Sequence, residues 1–244
     1  MRHRRSHLVG SFALLALAAL PVDASDTPAG PTAIQFPPGA SSSTVRGALA
    51  GGRPARYTVG ARASQWLEVA LGQDSVATVR LYGPGWRLAG DGSVAGDTEL
   101  SLPRFGDAGS GAFLEQDGTY LLEVVPQGER ADFRLELSIR APRPENCGDL
   151  PQQPMNRCFA AVAAEAVTAR ARAYAKVEAS LDANQRNLLT AAEKAWRGYA
   201  EAGCRFQSAG FEGGTLQPTV YWMCMARFAR EREAELTRTP DGEQ

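Results

Sequence analysis

The sequence predicts an α+β protein with two domains, an N-terminal antiparallel β-sandwich followed by a disulfide-stapled three-helix domain. Three observations support this fold class. Apolar and polar residues alternate in short segments between residues 25 and 140, whereas after residue 147 apolar residues recur at steps of three and four. All four cysteines lie in the second part, and a length of 244 residues fits two ordinary domains.

Residues 1–24 have the three parts of a secretory signal peptide. A basic start with Arg2, Arg4 and Arg5 precedes an apolar run over residues 8–20, and small residues up to Ala24 offer a cleavage site. The apolar run is too short to span the roughly 30 Å of hydrocarbon in a bilayer. We therefore expect cleavage after Ala24 and a soluble periplasmic or secreted protein that is not inserted in the membrane.

Charge and histidine content exclude several classes of function. The chain has 26 Lys and Arg against 27 Asp and Glu, so no excess of positive charge favours nucleic acid. Both histidines, His3 and His7, precede the expected cleavage site, so the mature chain lacks Ser-His-Asp, Cys-His and histidine-metal sites. We expect no enzyme, no metal and no cofactor. The remaining enzymatic alternative is a hydrolase that uses only carboxylates, but no paired Asp/Glu motif is evident.

Eight short segments before residue 141 are predicted to be strands. The clearest is 131–140, where Phe133, Leu135, Leu137 and Ile139 alternate with polar residues, as on a sheet with one buried face. Turn residues separate the segments, and 104–111 is predicted to be a long glycine-rich loop. This spacing is typical of an antiparallel sandwich. The predicted strands are 34–36, 44–49, 56–59, 66–71, 77–82, 98–102, 120–125 and 131–140.

A proline-rich segment separates the two periodicities. Pro142 and Pro144 cannot continue a strand ladder and favour an extended linker over residues 141–146. The predicted organisation is therefore a sandwich domain, this linker, a helical domain and a short tail. Their bounds are 25–140, 141–146, 147–238 and 239–244.

Three amphipathic helices are predicted after the linker, at about 153–182, 185–207 and 219–238. The short connection between the first two predicts a helical hairpin. Trp196 and Tyr199 are expected in its core because they lie on the apolar side of the second helix. The apolar positions that define this side are Leu189, Ala192, Trp196, Tyr199 and Phe206. Residues 210–218 are predicted to be a loop.

The four cysteines predict two disulfides, as an even number does in an exported chain. Pairing of Cys147 with Cys158 and of Cys204 with Cys224 is favoured, since both are short-range and each would fasten an irregular segment to a helix. The other two pairings remain open on the sequence alone. A zinc site of four thiolates is disfavoured because the spacing contains no Cys-x-x-Cys motif.

Several motifs of the helical half occur together and resemble a known family. They are Cys147, Gln153-x-Met155-Asn156-x-Cys158, Tyr174, Leu189-x-x-Ala192-x-x-x-Trp196-x-x-Tyr199-x-x-x-x-Cys204, Glu212-Gly213-Gly214-Thr215 with Pro218, Cys224 and Arg232-x-x-x-Leu236. Over residues 147–236 this pattern resembles the LprI family of lysozyme inhibitors. The chain departs from the family where members usually carry Leu-Asn and it has Arg170-Ala171. It also departs where they carry Arg-Asp and it has Ala200-Glu201.

The strand half has a second, less specific set of motifs. They are Phe36-x-x-Gly39-x-Ser41-Ser42, Gly47, Tyr57, Ala61, Gln65, Val69, Leu81-Tyr82-Gly83-Pro84-Gly85 and Gly118-x-Tyr120-x-x-x-Val124. Over residues 34–140 this pattern resembles the periplasmic inhibitors of g-type lysozyme. Those proteins tend to have a longer, basic loop before the last strand, where this chain has only residues 126–130.

Both resemblances imply a non-catalytic protein whose partner is a lysozyme. An inhibitor of this kind places a rigid loop in the cleft that holds the catalytic carboxylates. The contact candidates are Glu212, Gly213, Gly214, Thr215 and Gln217 in the helical domain, and Trp86, Arg104, Ser110 and Arg130 in the sandwich. The alternative function is that of a non-catalytic envelope module which binds peptidoglycan or another carbohydrate.

Overall fold

A computed structural model describes residues 30–72, 75–96, 99–100 and 110–238, with the backbone alone for residues 99–100. The predicted signal peptide, the predicted tail and the candidate Arg104 lie outside the described residues. Within them, strands occupy the first part of the chain and helices the second, so the predicted two-domain α+β class is confirmed.

The described strands form two main sheets and one small ribbon. Their bounds are β1 Thr32–Ala33, β2 Ser42–Ala50, β3 Ala55–Ala61, β4 Gln65–Leu71, β5 Ala77–Tyr82, β6 Arg87–Leu88, β7 Val94–Ala95, β8 Glu99–Leu100, β9 Ser110–Leu114, β10 Gly118–Pro126 and β11 Arg130–Arg140. One sheet has the order β1-β3-β10-β5-β8 and the other the order β2-β11-β4-β9, while β6 and β7 pair with each other. All of these described pairs are antiparallel except β1 with β3.

The sandwich core lies between the two main sheets. In β11, Phe133, Leu135, Leu137 and Ile139 are buried and alternate with more exposed residues, which confirms the predicted period of two. Residues of the central strands, among them Leu67, Leu81 and Leu122, complete the same cluster. Burial of so many complete side chains is the main favourable term in folding this half.

The prediction of a loop over residues 104–111 is wrong for its last two residues, because Ser110 and Gly111 begin the edge strand β9. Glycine at 111 suggests a loop in the sequence, but here it makes room for a neighbour. A Cβ added to Gly111 would lie 2.5 Å from the indole of Trp66. The glycine is therefore a consequence of close packing rather than of a turn.

The described helices are α1 Pro144–Cys147, α2 Gln152–Glu178, α3 Ala183–Ser208 and α4 Gln217–Thr237, with a 3₁₀ turn at Ala209–Phe211. α1 occupies the end of the predicted extended linker, since proline is well accepted at the start of a helix. Pro218 similarly lies in the first turn of α4, directly after its first residue Gln217. Asp182 caps α3, accepting from the Gln185 amide at 2.8 Å, and the Gln185 side chain accepts from the Asp182 amide.

Both favoured disulfides are present. Cys147 is bonded to Cys158 and Cys204 to Cys224, with Cα–Cα distances of 5.6 and 5.5 Å. α2 and α3 are joined by a short turn, and α4 packs against both of them. The second disulfide lies between α3 and α4 and leaves a short connection between them.

One expectation about α3 is wrong. Trp196 is half-buried and packs on the helical core, but Tyr199 is 67% exposed and Phe206 is 83% exposed. The buried side of α3 is centred on Ala200 and Cys204 instead, because the disulfide fixes which side of the helix faces α4. The apolar side of α3 is therefore wider than the part of its surface that packs against α2 and α4.

The two domains share a hydrophobic cluster. Trp66 on β4 and Phe113 on β9 pack with Cys147, Phe159 and Ala163 of the helical domain, and Trp66 is only 1% exposed. An ion pair of 2.7 Å between Arg157 on α2 and Glu115 after β9 lies beside this junction. Within the described ranges, no helix has both the length and the apolar character needed to cross a bilayer.

Candidate protein-binding site

The connection between α3 and α4, residues 212–216, is a tight turn rather than an open loop; we call it the α3–α4 loop. The amide of Glu212 donates to the carbonyl of Ala209 at 3.1 Å, and that of Gly214 donates to the carbonyl of Phe211 at 2.9 Å. Gly213 has a φ of 74°, which favours glycine. Because the 3₁₀ turn and α4 take up both ends of the predicted loop at 210–218, only its centre is irregular.

Asn156 on α2 holds the loop through its side chain. Its amide nitrogen donates to the carbonyl oxygen of Thr215 at 3.0 Å. Its amide oxygen accepts from Gln152 at 2.9 Å and from the hydroxyl of Thr219 on α4. The loop is therefore attached to the domain both by this network and by the Cys204–Cys224 disulfide that precedes and follows it in the chain.

The outer surface of the loop presents a small set of groups. Glu212, Gly213, Gly214 and Thr215 are exposed, while Gln217 is half-buried and accepts from the Gly213 amide at 3.3 Å. Three apolar side chains near the loop in sequence are also exposed: Phe211, Leu216 and Met223. The surface can thus offer a hydroxyl donor, a carboxylate and an apolar rim to a protein partner.

Of the sandwich candidates, Trp86 is half-buried, and its indole N–H donates to the carbonyl of Thr119 at 3.0 Å. Ser110 is half-buried at the start of β9, opposite Val69. Arg130 is exposed at the start of β11, opposite Ala50. The indole N–H of Trp86 is therefore engaged within the domain, whereas the Arg130 side chain faces solvent.

The candidates do not converge on one site. Trp86 contacts Thr119 near the start of β10. Glu115, in the turn that precedes β10, forms an ion pair with Arg157 on α2. The neighbouring residue on α2, Asn156, binds the α3–α4 loop. Arg130 lies at the other end of the sandwich, because β11 runs from there towards the helical domain. Arg130 thus lies at the end of the sandwich away from the α3–α4 loop.

A shallow groove on the outer face of the second sheet is lined largely by hydroxyl groups. It has a volume of about 360 Å³, and its walls include Ser42, Thr44, Ser138, Glu68 and Glu136. Each carboxylate is engaged at 2.6 Å in an ion pair, Glu68 with Arg140 and Glu136 with Arg134. Among the described residues that line the groove, none has an aromatic ring on which a sugar could stack.

A buried ionic cluster lies between α2, α3 and α4. Glu193 is 1% exposed and is paired with Arg170 and, at 3.2 Å, with Arg232. The guanidinium of Arg170 also lies 4.9 Å from the centre of the Trp196 ring. Burial lowers the pKa of Arg170, and the charges of Arg197 and Arg232 lower it further. Arg170, one of the positions named above as a departure from the family pattern, therefore serves as the buried partner of Glu193.

Sequence reasoning missed the role of Asn156 and the exposed Phe211 and Met223. Asn156 is part of a quoted motif, but its bond to Thr215 joins positions 59 residues apart. Met223 is 49% exposed although it adjoins Cys224, whereas Met225 on the other side of Cys224 packs against the core.

Several solved structures are similar to this chain over less than half of its length. PliG of Aeromonas hydrophila, a periplasmic inhibitor of g-type lysozyme, is 28% identical with a TM-score of 0.38; the similarity covers 45% of this chain and 95% of that one. For Salmonella Typhimurium PliG the values are 21%, 0.33, 46% and 99%. For the pre-peptidase C-terminal domain of collagenase from Bacillus anthracis they are 19%, 0.32, 48% and 100%.

The curated proteins contain no match to this sequence. A family model does match, and it covers the helical part that carries the α3–α4 loop and both disulfides. The resemblance inferred from the sequence motifs is therefore confirmed for this part: residues 147–236 match the family described as lysozyme inhibitor LprI.

Proposed function

We propose that the mature protein is an exported, non-catalytic inhibitor that binds a lysozyme and occludes its active-site cleft, with the α3–α4 loop entering the cleft. The main support is that four of the residues on which the resemblance to LprI rests lie in this loop or hold it in place. They are Asn156, Cys204, Gly213 and Cys224.

A loop that enters a cleft inhibits well only if it is ordered before binding. Ordering a flexible backbone costs about 1–2 kcal/mol per residue, and that cost is subtracted from affinity. Here the disulfide and the Asn156–Thr215 bond order the loop in the free protein. Its backbone is therefore available for binding at little further entropic cost.

The groups on the loop suit a lysozyme cleft. Lysozymes act through carboxylates on either side of the scissile bond, which accept hydrogen bonds from an intruding donor. The exposed Thr215 hydroxyl can donate such a bond, while Phe211 and Leu216 can exclude water around it. Glu212 would then meet a basic residue on the rim of the enzyme.

The proposal is tested by lysozyme inhibition with the full mature chain and a Thr215→Glu variant. The introduced carboxylate should be repelled by the carboxylates of the cleft and raise the concentration for half-inhibition at least about tenfold, as disruption of an interface centre does. Ala179→Glu, at the exposed turn between α2 and α3, is the matched control and should inhibit like the wild type. Undiminished inhibition by Thr215→Glu would show that the loop is not the contact.

A further inference from the structure

A stripe of exposed apolar residues runs along most of α3. Leu188, Tyr199 and Phe206 are 64%, 67% and 83% exposed, and the alanines between them are exposed as well. The members of this stripe, called here the α3 stripe, are Leu188, Ala192, Ala195, Tyr199, Ala202 and Phe206. They follow one another at steps of four, three, four, three and four residues, and none is charged.

This spacing is that of a helix which pairs with another helix. Steps that alternate between three and four average 3.5 residues, so the members form one seam along the helix. The domain's own core uses a neighbouring side of α3, with Glu193, Ala200 and Cys204 buried against α2 and α4. Among the described residues, only Phe228 makes a ring contact with the stripe, at 5.5 Å from the Tyr199 ring.

The α3 stripe is symmetric about Arg197. Leu188 and Phe206 lie nine residues before and after it, Ala192 and Ala202 five, and Ala195 and Tyr199 two. Two antiparallel copies related by a twofold axis at this point would place each member against its counterpart. The large Tyr199 would face the small Ala195 of the other copy, and the two other alanines would face each other. Such self-complementarity is the requirement of an isologous dimer.

We infer that the α3 stripe is a homodimerisation surface, which pairs with the α3 stripe of a second copy in antiparallel orientation. The available area supports a weak but specific dimer. If an aromatic side chain covers roughly 150–250 Å², the stripe offers on the order of 500 Å² per copy, or about 1,000 Å² in a pair, close to the lower limit for a specific interface. Since α3 leads directly into the α3–α4 loop, the dimer would carry two such loops at opposite ends of the helix pair.

A charge exchange in the full mature chain tests both pairing and orientation by sedimentation velocity over a range of concentrations. L188K or F206E alone should abolish the dimer by burying a lone charge. The double variant L188K/F206E should restore it, because each introduced cation then faces an introduced anion in the antiparallel pair. N187K and Q207E, at exposed positions beside the stripe, are the matched controls and should sediment like the wild type.

Helix content is measured on every variant to exclude unfolding. Because Leu188 and Phe206 are both exposed, we expect their replacement to leave the helix content unchanged. A wild-type chain that stays monomeric at all concentrations overturns the inference. So does a dimer that L188K and F206E leave intact. Failure of the double variant to associate overturns the antiparallel arrangement. If the wild type is monomeric and F206E loses lysozyme inhibition, the α3 stripe contacts the lysozyme instead, and the dimer is overturned as well.

Discussion

The side-chain amide of Asn156 donates a hydrogen bond to the backbone carbonyl of Thr215 at 3.0 Å, and so ties the start of α2 to the α3–α4 loop. The same amide accepts from Thr219 on α4. A single side chain thus connects the C-terminal end of the loop and the first turn of α4 to the first long helix. The proposed function depends on this connection, because it keeps the loop ordered in the unbound protein.

Replacing Asn156 by alanine should clearly weaken lysozyme inhibition while it lowers the free energy of unfolding only moderately. The change removes the bond to Thr215 and should lower the free energy of unfolding by about 1–2 kcal/mol. Inhibition and urea denaturation are measured on the same preparation. Asn187→Ala, at an exposed position of α3, is the control and should change neither quantity. Equal inhibition by the two variants would remove Asn156 from the account.

The two disulfides should differ in their effect on inhibition. The chain-entropy model assigns roughly 3 kcal/mol to bridges of this length, so Cys204→Ser/Cys224→Ser and Cys147→Ser/Cys158→Ser should both lower thermal stability. Only the first pair adjoins the α3–α4 loop, so it should weaken inhibition more. Circular dichroism and lysozyme assays at a temperature where both variants are folded check this. A helical Cys204→Ser/Cys224→Ser variant that inhibits undiminished would contradict the prediction.

Glu193→Gln should strongly destabilise the helical domain. The substitution removes the buried negative charge that compensates Arg170 and Arg232, and breaking such a pair costs about 3–5 kcal/mol. Glu201→Gln removes an exposed partner of Arg205 and should cost at most about 1 kcal/mol. Urea denaturation followed by helix content measures both changes. Similar values for the two variants would mean that the buried cluster adds no stability.

Gly111→Ala should destabilise the junction between the domains. The added methyl group would lie 2.5 Å from Trp66, which is enclosed by both domains, and overpacking of this kind costs about 1–3 kcal/mol. Gly60→Ala in β3 is the control, because among the described residues none beyond its two chain neighbours lies within 4 Å of the added Cβ. The readout is the melting temperature of each variant. A melting temperature for Gly111→Ala as high as that for Gly60→Ala would contradict the close packing at Trp66.

The fold should lose stability at alkaline pH through its buried tyrosines. Burial raises the pKa of Tyr120 and that of Tyr57 above the ordinary value of about 10. Above that value the unfolded chain releases the phenol protons while the folded chain keeps them, so the free energy of unfolding falls as pH rises. Urea denaturation from about pH 8 to about pH 11 measures this fall. The fall in the free energy of unfolding should be smaller in Tyr120→Phe than in the wild type. The same dependence on pH in the variant and the wild type would exclude Tyr120 as a cause.

Local patterns predicted the parts of the fold that depend on neighbouring residues. Alternation in β11 predicts its buried side, and short spacing favours the disulfide pairs that the structure contains. Features set by distant contacts were not predictable in this way. The sequence around Gly111 indicates a loop, because the packing of Trp66 against this glycine depends on a residue 45 positions away. The pattern of α3 predicts Tyr199 in the core, but the apolar side of the helix is wider than the side that Cys204 turns towards α4.

The candidate site shows the same division. The motif residues around the α3–α4 loop were identified from the sequence, but the bond from Asn156 to Thr215 depends on how α2 and α4 pack. Similarly, Trp86 was chosen for its place after a glycine-proline turn, and only the structure shows its indole N–H bound to Thr119.

Lysozyme clearing of cell-wall suspensions in the presence of the mature chain tests the proposed function, with c-, g- and i-type enzymes assayed in parallel. We expect the wild type to block clearing by at least one class, Thr215→Glu to lose this block and Ala179→Glu to retain it. If the wild type inhibits none of the three classes, lysozyme inhibition is excluded as its function, and retention on purified peptidoglycan would support an envelope-binding module instead.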